Sequence, residues 1–226
     1  ACVNAAVSAG ARKVYLIEEP VAAALGAGLD LSVPRGRFIL DMGGGTTDIA
    51  VLSLNGIVCK KSIKLAGRKL DEAIVRCVRT DRNVLIGEKM AERIKIEVGS
   101  VFYTEDKEME AKGRNLHTGL PEKFVIRTSD IYDALMEQVM QIVTAVQQIL
   151  EITPPELSAD IWEDGLIMTG GGAMLHGLGD LISQHAKIKV RLAEHPVECV
   201  AIGTALSFSK LDELYDGFVT PSTHTH

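Results

Sequence analysis

The sequence predicts an α/β fold. Three strand-like runs joined by tight turns lie between residues 37 and 64, and strand-like and helix-like segments alternate after them. Two triple-glycine clusters, Gly43 to Gly45 and Gly170 to Gly172, each follow an apolar strand-like run. At 226 residues and 46% hydrophobic, the chain is long and apolar enough to bury a real core.

The opening ACVNAAVSAGAR reads as the middle of a helix, with no capping residue before Ala1, so the natural chain is expected to begin upstream. Val14 to Ile17 is a short apolar run, expected as a buried strand. Pro20 suits the first position of the helix that follows, VAAALGAG, whose small side chains allow close approach to other backbone.

Residues 37 to 41 read as a strand, 43 to 47 as a turn and 48 to 54 as a second strand. Asn55-Gly56 signals a two-residue hairpin leading into a third strand over 57 to 64. From Ala66-Gly67 a helix carries Leu70, Ile74, Cys77 and Val78 on one face, and another runs from Glu88 to Val98 with Met90, Ile94 and Val98 aligned. The stretch from Phe102 mixes charge with short apolar pieces and ends in strand-like Phe124 to Ile126. Ser129 or Asp130 is expected to cap a long helix striped by Ile131, Leu135, Val139, Ile142, Val146, Ile149 and Leu150, closed by Pro154-Pro155. Leu166 to Met168 is a strand that enters the second glycine cluster, with a helix expected from about Ala173. A strand over 188 to 192 precedes a last helix holding Val200, Ile202, Ala205 and Leu206, and the tail PSTHTH is expected to be disordered.

Several function classes recede on composition. A net charge of -6 speaks against nucleic acid as a partner, because phosphate neutralisation needs clustered Lys and Arg. The four cysteines, Cys2, Cys59, Cys77 and Cys199, have no metal-ligand spacing and read as free thiols. No run of 18 apolar residues and no signal peptide is visible.

Four constellations carry chemistry. Asp41-Met42-Gly43-Gly44-Gly45-Thr46-Thr47-Asp48 joins strand to strand, unlike a P-loop or a dinucleotide fingerprint, which open a helix. Successive glycines can take backbone angles closed to other residues and turn N–H groups toward an anion, with hydroxyl donors from Thr46 and Thr47. Asp41 at the strand end suits a hydrated Mg²⁺. A glycine-rich hairpin without a ligand is the alternative. Gly170, Gly171 and Gly172 leave backbone bare beside an expected helix start, as a ligand site or as a plain tight turn. Glu19 either orients a water for attack on a phosphate or merely favours the helix start by its charge. Glu92 and Lys95 share a helix face and either bind a ribose and base or form a solvated surface.

Together these pieces resemble the superfamily of actin, the heat-shock chaperones and the sugar kinases. DMGGGTTD is similar to its second phosphate loop, LIMTGGGAML to its adenosine loop, and IEEPVAAALGAG to the junction helix with the catalytic acid. Within it AGARKVYLIEEPVAAALGAG, LIGEKMAERIKIEVGS, TGLPEKF and ITPPELSADIWEDGLIMTGGGAMLHGL most resemble the bacterial MreB family, over residues 1 to about 206. The resemblance implies an actin-like, ribonuclease H-like fold. Residues 1–30 would be the remnant of a first lobe and the junction helix, 36–65 and 129–192 the core of the second lobe, 66–128 its smaller subdomain, and 193–226 a C-terminal helix and tail. It implies ATP and Mg²⁺ as cofactors, Glu19 positioning the attacking water, Asp41 holding the metal, and Asp41, Gly43, Gly44, Gly45 and Thr46 at the phosphates. Glu92, Lys95, Gly170, Gly171 and Gly172 would hold the adenosine.

The implied function is a cytoplasmic filament on the inner face of the cell membrane that guides the cell-wall elongation machinery and rod shape, with slow ATP hydrolysis coupled to polymerisation. A sugar or acetate kinase and a chaperone ATPase are the alternatives within the superfamily. The family's first phosphate loop is not in the sequence, so this stretch alone is expected to be inactive. Arg68-Lys69 stand where the family usually has an acidic pair, which reverses the charge at that corner of the site.

Overall fold

A computed structural model describes residues 2–102, 105–210 and 218–219. The tail expectation lies outside the described residues. The chain opens with helix α1 (Cys2–Ser8), strand β1 (Leu16–Ile17) and helix α2 (Glu19–Gly26), which has Pro20 in its first turn. Strands β2 (Arg37–Met42), β3 (Thr47–Ser53) and β4 (Gly56–Ile63) form the meander, followed by helix α3 (Gly67–Arg82). Next come β5 (Val84–Leu85), α4 (Glu88–Val98), β6 (Glu108–Asn115) and β7 (Pro121–Arg127). Helices α5 (Thr128–Ile152) and α6 (Pro155–Asp164), strand β8 (Leu166–Thr169), a 3₁₀ turn (Gly171–Met174) and α7 (Leu178–Ala186) follow. Strand β9 (Val190–Leu192), α8 (Cys199–Ser207), a second 3₁₀ turn (Phe208–Lys210) and the short β10 (Phe218–Val219) complete the described elements.

The central sheet runs β4-β3-β2-β8-β9, antiparallel across the meander and parallel from β2 to β9. Its inner strands β2, β3 and β8 are buried on both faces, and alternate residues serve different cores. Phe38, Leu40, Met42, Ile49 and Val51 join the core formed with α3, α4, α5 and α7. Ile39, Ala50 and Leu52 join the smaller core with α2. Helices therefore cover both faces, as the periodicity predicts.

The stripe of α5 behaves as read, with Ile131, Leu135, Val139, Ile142, Val146 and Ile149 buried. Each such side chain contributes about 1.5–3 kcal/mol when fully buried. An exposed pair such as Arg93 with Glu97 contributes about 0–1 kcal/mol, so the stripes rather than the surface ion pairs hold the fold. The three cysteines with described side chains, Cys59, Cys77 and Cys199, are free. Burial, then the hydrogen bond to Asp81, pushes the Cys77 thiol up to about 12, so it stays protonated at neutral pH.

Several expectations shift. The run at Val14 to Ile17 is only two residues of strand, half-buried rather than buried, because its one partner is β10 at the margin of the fold. The hairpin moves by one residue: Ser53 pairs with Gly56, and Leu54 (φ 49°) and Asn55 (φ 61°) form the two-residue loop. A turn with positive φ at both central residues matches strand twist. The amide of Asn55 donates to the Leu31 carbonyl at 2.6 Å, which holds Leu54 in a conformation costing about 1–2 kcal/mol. A bulge beside Val58 then restores the register, since Val51 pairs with Cys59 and Leu52 with Ile57.

Asp130 sits in the first turn of α5 and accepts from the Arg127 amide at 2.8 Å, so the helix starts at Thr128, ahead of both expected caps. Pro154-Pro155 ends α5 and at once opens α6, where Pro155 lies in the first turn. The helix expected at Ala173 is a 3₁₀ turn, and α7 begins only at Leu178. The last helix is present, but its buried residues are Cys199, Gly203 and Ser207, whereas Ile202 and Leu206 are exposed.

Candidate functional site

The parallel pairing of β2 with β8 sets Asp41 directly beside Thr169, so the ends of two strands deliver both glycine clusters to one place. A third element is tied in from the side. Ser100, just after α4, bridges to His176, with Ser100 Oγ 2.9 Å from His176 Nδ1 and the Val101 amide donating to the His176 carbonyl at 3.0 Å. The result is a cleft of about 740 Å³, within the usual range for a ligand site. Its walls include Glu19, Asp41, Gly43, Gly44, Glu92, Lys95, Gly170, Gly171 and Gly172. Gly45 and Thr46, from the same loop, are not on its wall.

The first glycine loop works differently from the expectation. None of Gly43, Gly44 and Gly45 has a positive φ, so these glycines do not adopt angles closed to other residues. What they supply is bare backbone: a Cβ on Gly44 would meet nothing within 4 Å, and one on Gly45 would sit 2.5 Å from Arg68 Nη2. The Gly43 amide is spent on closing the turn, donating to the Thr46 carbonyl at 3.1 Å. The carbonyls of Gly43 and Gly44 accept from the amides of Gly67 and Arg68 at 3.2 and 2.9 Å, which seats the start of α3 against the loop. The amides of Gly44 and Gly45 donate to no protein acceptor among the described residues. They are the free donors of the loop.

At the second cluster glycine is required at Gly170 and tightly packed at Gly172, whereas Gly171 has room for a side chain. Gly170 has φ 85° and ψ 156°, a region essentially closed to residues with a side chain. A Cβ there would also lie 2.3 Å from the Met42 carbonyl oxygen, and one on Gly172 2.7 Å from Met42 Cγ. Close approach of Met42 leaves no room for a side chain at Gly170 or Gly172. The bare backbone at Gly171 to Met174 is a 3₁₀ turn, so no α-helix N-terminus points at the cleft there. Exposed apolar side chains surround it: Ile96 is 73% exposed, Met174 57% and Val197 67%. A flat apolar ligand would cover them.

The floor is acidic. Asp41 is buried, accepts from the Thr169 hydroxyl at 2.6 Å, and lies opposite Asp48 in the ladder. Like charges directly opposite each other destabilise a sheet unless a cation intervenes. Burial first, then Asp48, raises the Asp41 carboxyl above its usual range against the pull of Thr169. Burial, Asp41 and Asp48 likewise raise Glu19. The adjacent glutamates part company here: Glu18 is ion-paired to Lys60 at 2.8 Å, whereas Glu19 faces the cleft without an ion pair among the described residues. Among the described residues no cluster of three His, Cys, Asp or Glu could hold a metal by protein ligands alone. Mg²⁺ needs only one or two carboxylates and keeps its waters, which Asp41 satisfies.

Glu92 is exposed on the cleft wall. Lys95 is largely committed to the protein, since its Nζ lies 2.8 Å from Asp71 Oδ1 and donates to the Gly67 carbonyl at 3.2 Å. Arg68, whose charge the sequence already placed at a corner of the site, lines the same cleft, as do Asp71 and His176, which were not singled out from the sequence. Asp71 lies four residues after Gly67 on a helix that starts at the glycine loop, a spacing that puts it over the first turn.

A model of the MreB/Mbl protein family matches residues 1–216. The cell shape-determining protein Mbl of Bacillus subtilis is 46% identical over 212 residues, covering 93% of this chain and 64% of that protein. The cell shape-determining protein MreB of Escherichia coli is 47% identical over 210 residues, covering 92% of this chain and 60% of that one. The chain thus spans less than two thirds of the length of these relatives. MreB 5 of Spiroplasma citri bound to AMPPNP superposes with a TM-score of 0.89 at 35% identity, over 93% of this chain and 64% of that chain. The MamK double helical filament, at 21% identity and a TM-score of 0.70 over 85% of this chain and 58% of that one, shares the fold. The architecture is actin-like, and the chain belongs to the MreB/Mbl family.

Proposed function

We propose that this chain is the greater part of the nucleotide-binding lobe of an actin-like cytoskeletal ATPase. The protein would form filaments at the inner face of the cell membrane and guide the cell-wall elongation machinery that maintains rod shape. The observation that carries this reading is the single cleft into which Asp41, both glycine clusters and the α4 wall converge. The relatives' names, cell shape-determining proteins, support the cellular role, and the AMPPNP-bound and ADP-bound MreB 5 structures support a nucleotide. Residues 66–128 would be the smaller subdomain, 36–65 and 129–192 the lobe core, 1–30 the link to a first lobe and 193–226 a terminal helix and tail. No helix among the described residues is long and apolar enough to cross a membrane.

In this reading ATP lies with its phosphates at the free amides of Gly44 and Gly45, beside Gly43 and Thr46. Asp41 would hold a hydrated Mg²⁺, which would supply charge neutralisation. The base lies against Gly170, Gly171 and Gly172 and the exposed side chains of Ile96 and Met174, with Glu92 reaching the ribose. Lys95 anchors that wall to Asp71. Glu19 holds and orients a water.

Asp41→Asn in the intact protein tests the reading. Because its folded carboxyl is raised, the native state binds more protons than the unfolded one between the usual carboxylate value and the raised one. Stability contributed by Asp41 therefore falls as pH rises through that window. The Asn variant, which still accepts from Thr169, is expected to melt a few degrees higher than the parent at neutral pH without nucleotide. It is also expected to lose Mg-ATP-dependent filaments in light scattering and electron microscopy. No filaments from the parent with Mg-ATP, together with sugar-stimulated release of ADP, would overturn the cytoskeletal reading in favour of a kinase.

A further inference from the structure

We propose that Arg68 is a phosphate-recognising residue of the cleft, contacting the terminal phosphates of the bound nucleotide. The inference rests on the nucleotide reading above and assigns it a residue. Four carboxylates line the cleft, Glu19, Asp41, Asp71 and Glu92, against two cations, Arg68 and Lys95. A polyphosphate entering that field needs positive charge from the protein as well as from a metal ion.

Lys95 is the poorer source, because it is ion-paired to Asp71 at 2.8 Å, with only 13% of each side chain exposed, and donates to the Gly67 carbonyl. Arg68 makes no ion pair among the described residues and is exposed on the cleft wall. Its backbone fixes where the side chain starts, since the Arg68 amide donates to the Gly44 carbonyl at 2.9 Å. Its guanidinium then lies over the glycine loop, with Nη2 2.5 Å from where a Cβ on Gly45 would be. The bare backbone of Gly45 leaves this space to the Arg68 side chain.

The start of α3 does not itself supply the donors, as the Gly67 and Arg68 amides are consumed by the loop carbonyls. The side chain does. A guanidinium presents several donors in a planar fork, which matches a phosphate better than a lysine ammonium does. Beside the free amide of Gly44 on the same wall, it adds a charged donor to the phosphate end of the cleft.

Isothermal titration of the intact protein and its Arg68→Ala and Arg68→Lys variants with Mg-ATP and with adenosine tests this, with melting temperatures measured without nucleotide. Loss of one charge-assisted hydrogen bond is expected to raise the Mg-ATP dissociation constant of Arg68→Ala about tenfold or more. Adenosine affinity and the melting temperature should stay as in the parent, and Arg68→Lys should recover part of the Mg-ATP affinity. Equal Mg-ATP affinity for parent and Arg68→Ala would overturn the role of Arg68 and leave the nucleotide site standing. A parent that binds neither ligand would overturn the nucleotide reading and this proposal with it.

Discussion

Glu19→Ala in the intact protein is expected to slow phosphate release from ATP by roughly 10²–10⁴-fold, the usual cost of losing a positioned base. Mg-ATP affinity should change little, because the free amides of Gly44 and Gly45 and the apolar wall at Ile96 and Met174 lie elsewhere. The geometry singles out Glu19 over its neighbour, since Glu18 is held by Lys60. Burial and the charges of Asp41 and Asp48 raise Glu19, and a carboxylate raised toward neutrality is a better proton acceptor. Hydrolysis should accordingly fall as pH drops through that raised value, where Glu19 takes up a proton. Single-turnover phosphate release measures this. A variant rate within about twofold of the parent would assign Glu19 to capping α2 instead of to chemistry.

Gly203→Ala is expected to be the most damaging single methyl group in the fold. Helices α2 and α8 meet backbone to backbone: a Cβ on Gly203 would lie 1.7 Å from the Ala22 carbonyl oxygen and 2.8 Å from the Gly26 amide nitrogen. A Cβ on Gly26 would meet the Cys199 carbonyl oxygen at 1.8 Å. Side chains can rotate away from an added methyl, but these atoms belong to two helices that must separate together. Overpacking of this kind costs typically 1–3 kcal/mol, and the backbone partners place Gly203→Ala at about 3 kcal/mol. For a chain of this size that lowers the melting temperature by roughly 6–12 °C. Thermal unfolding followed by circular dichroism checks it, and a melting temperature equal to that of the parent would show that the two helices are free to separate. Because α2 carries Glu19 at its start, the variant should also lose hydrolysis at temperatures where it remains folded.

Much of this was legible from residue patterns. The unbroken apolar runs Phe38 to Leu40 and Ile49 to Leu52 mark strands buried on both faces, and the four-residue spacing in α3 and α5 marks their stripes. The strand β6 was missed, although Glu108-Met109-Glu110-Ala111 alternates and Met109 and Ala111 are buried, because charges on its open face dilute the apolar signal. Helix α6 was missed because Ile161 is its only buried residue, too few for a stripe.

The site was legible as motifs but not as geometry. Nothing local in Asp71 or His176 shows that they share a cleft with Gly170, since the bridge from Ser100 to His176 and the β2 to β8 pairing join segments far apart in the chain. The special need for glycine at 170 and 203 likewise arises from backbone that arrives from elsewhere, at Met42 and at Ala22. Glu18 and Glu19 are alike in sequence, and only Lys60 across the fold separates their roles.

A crystal structure of the intact protein with Mg-AMPPNP tests most directly whether the two glycine clusters and the α4 wall form one nucleotide site. The account predicts phosphate oxygens within hydrogen-bonding distance of the Gly44 and Gly45 amides, the metal ion's waters on Asp41, and the base against Gly171 and Met174. Nucleotide found elsewhere, or seated in the cleft with its phosphates away from that loop, would contradict it.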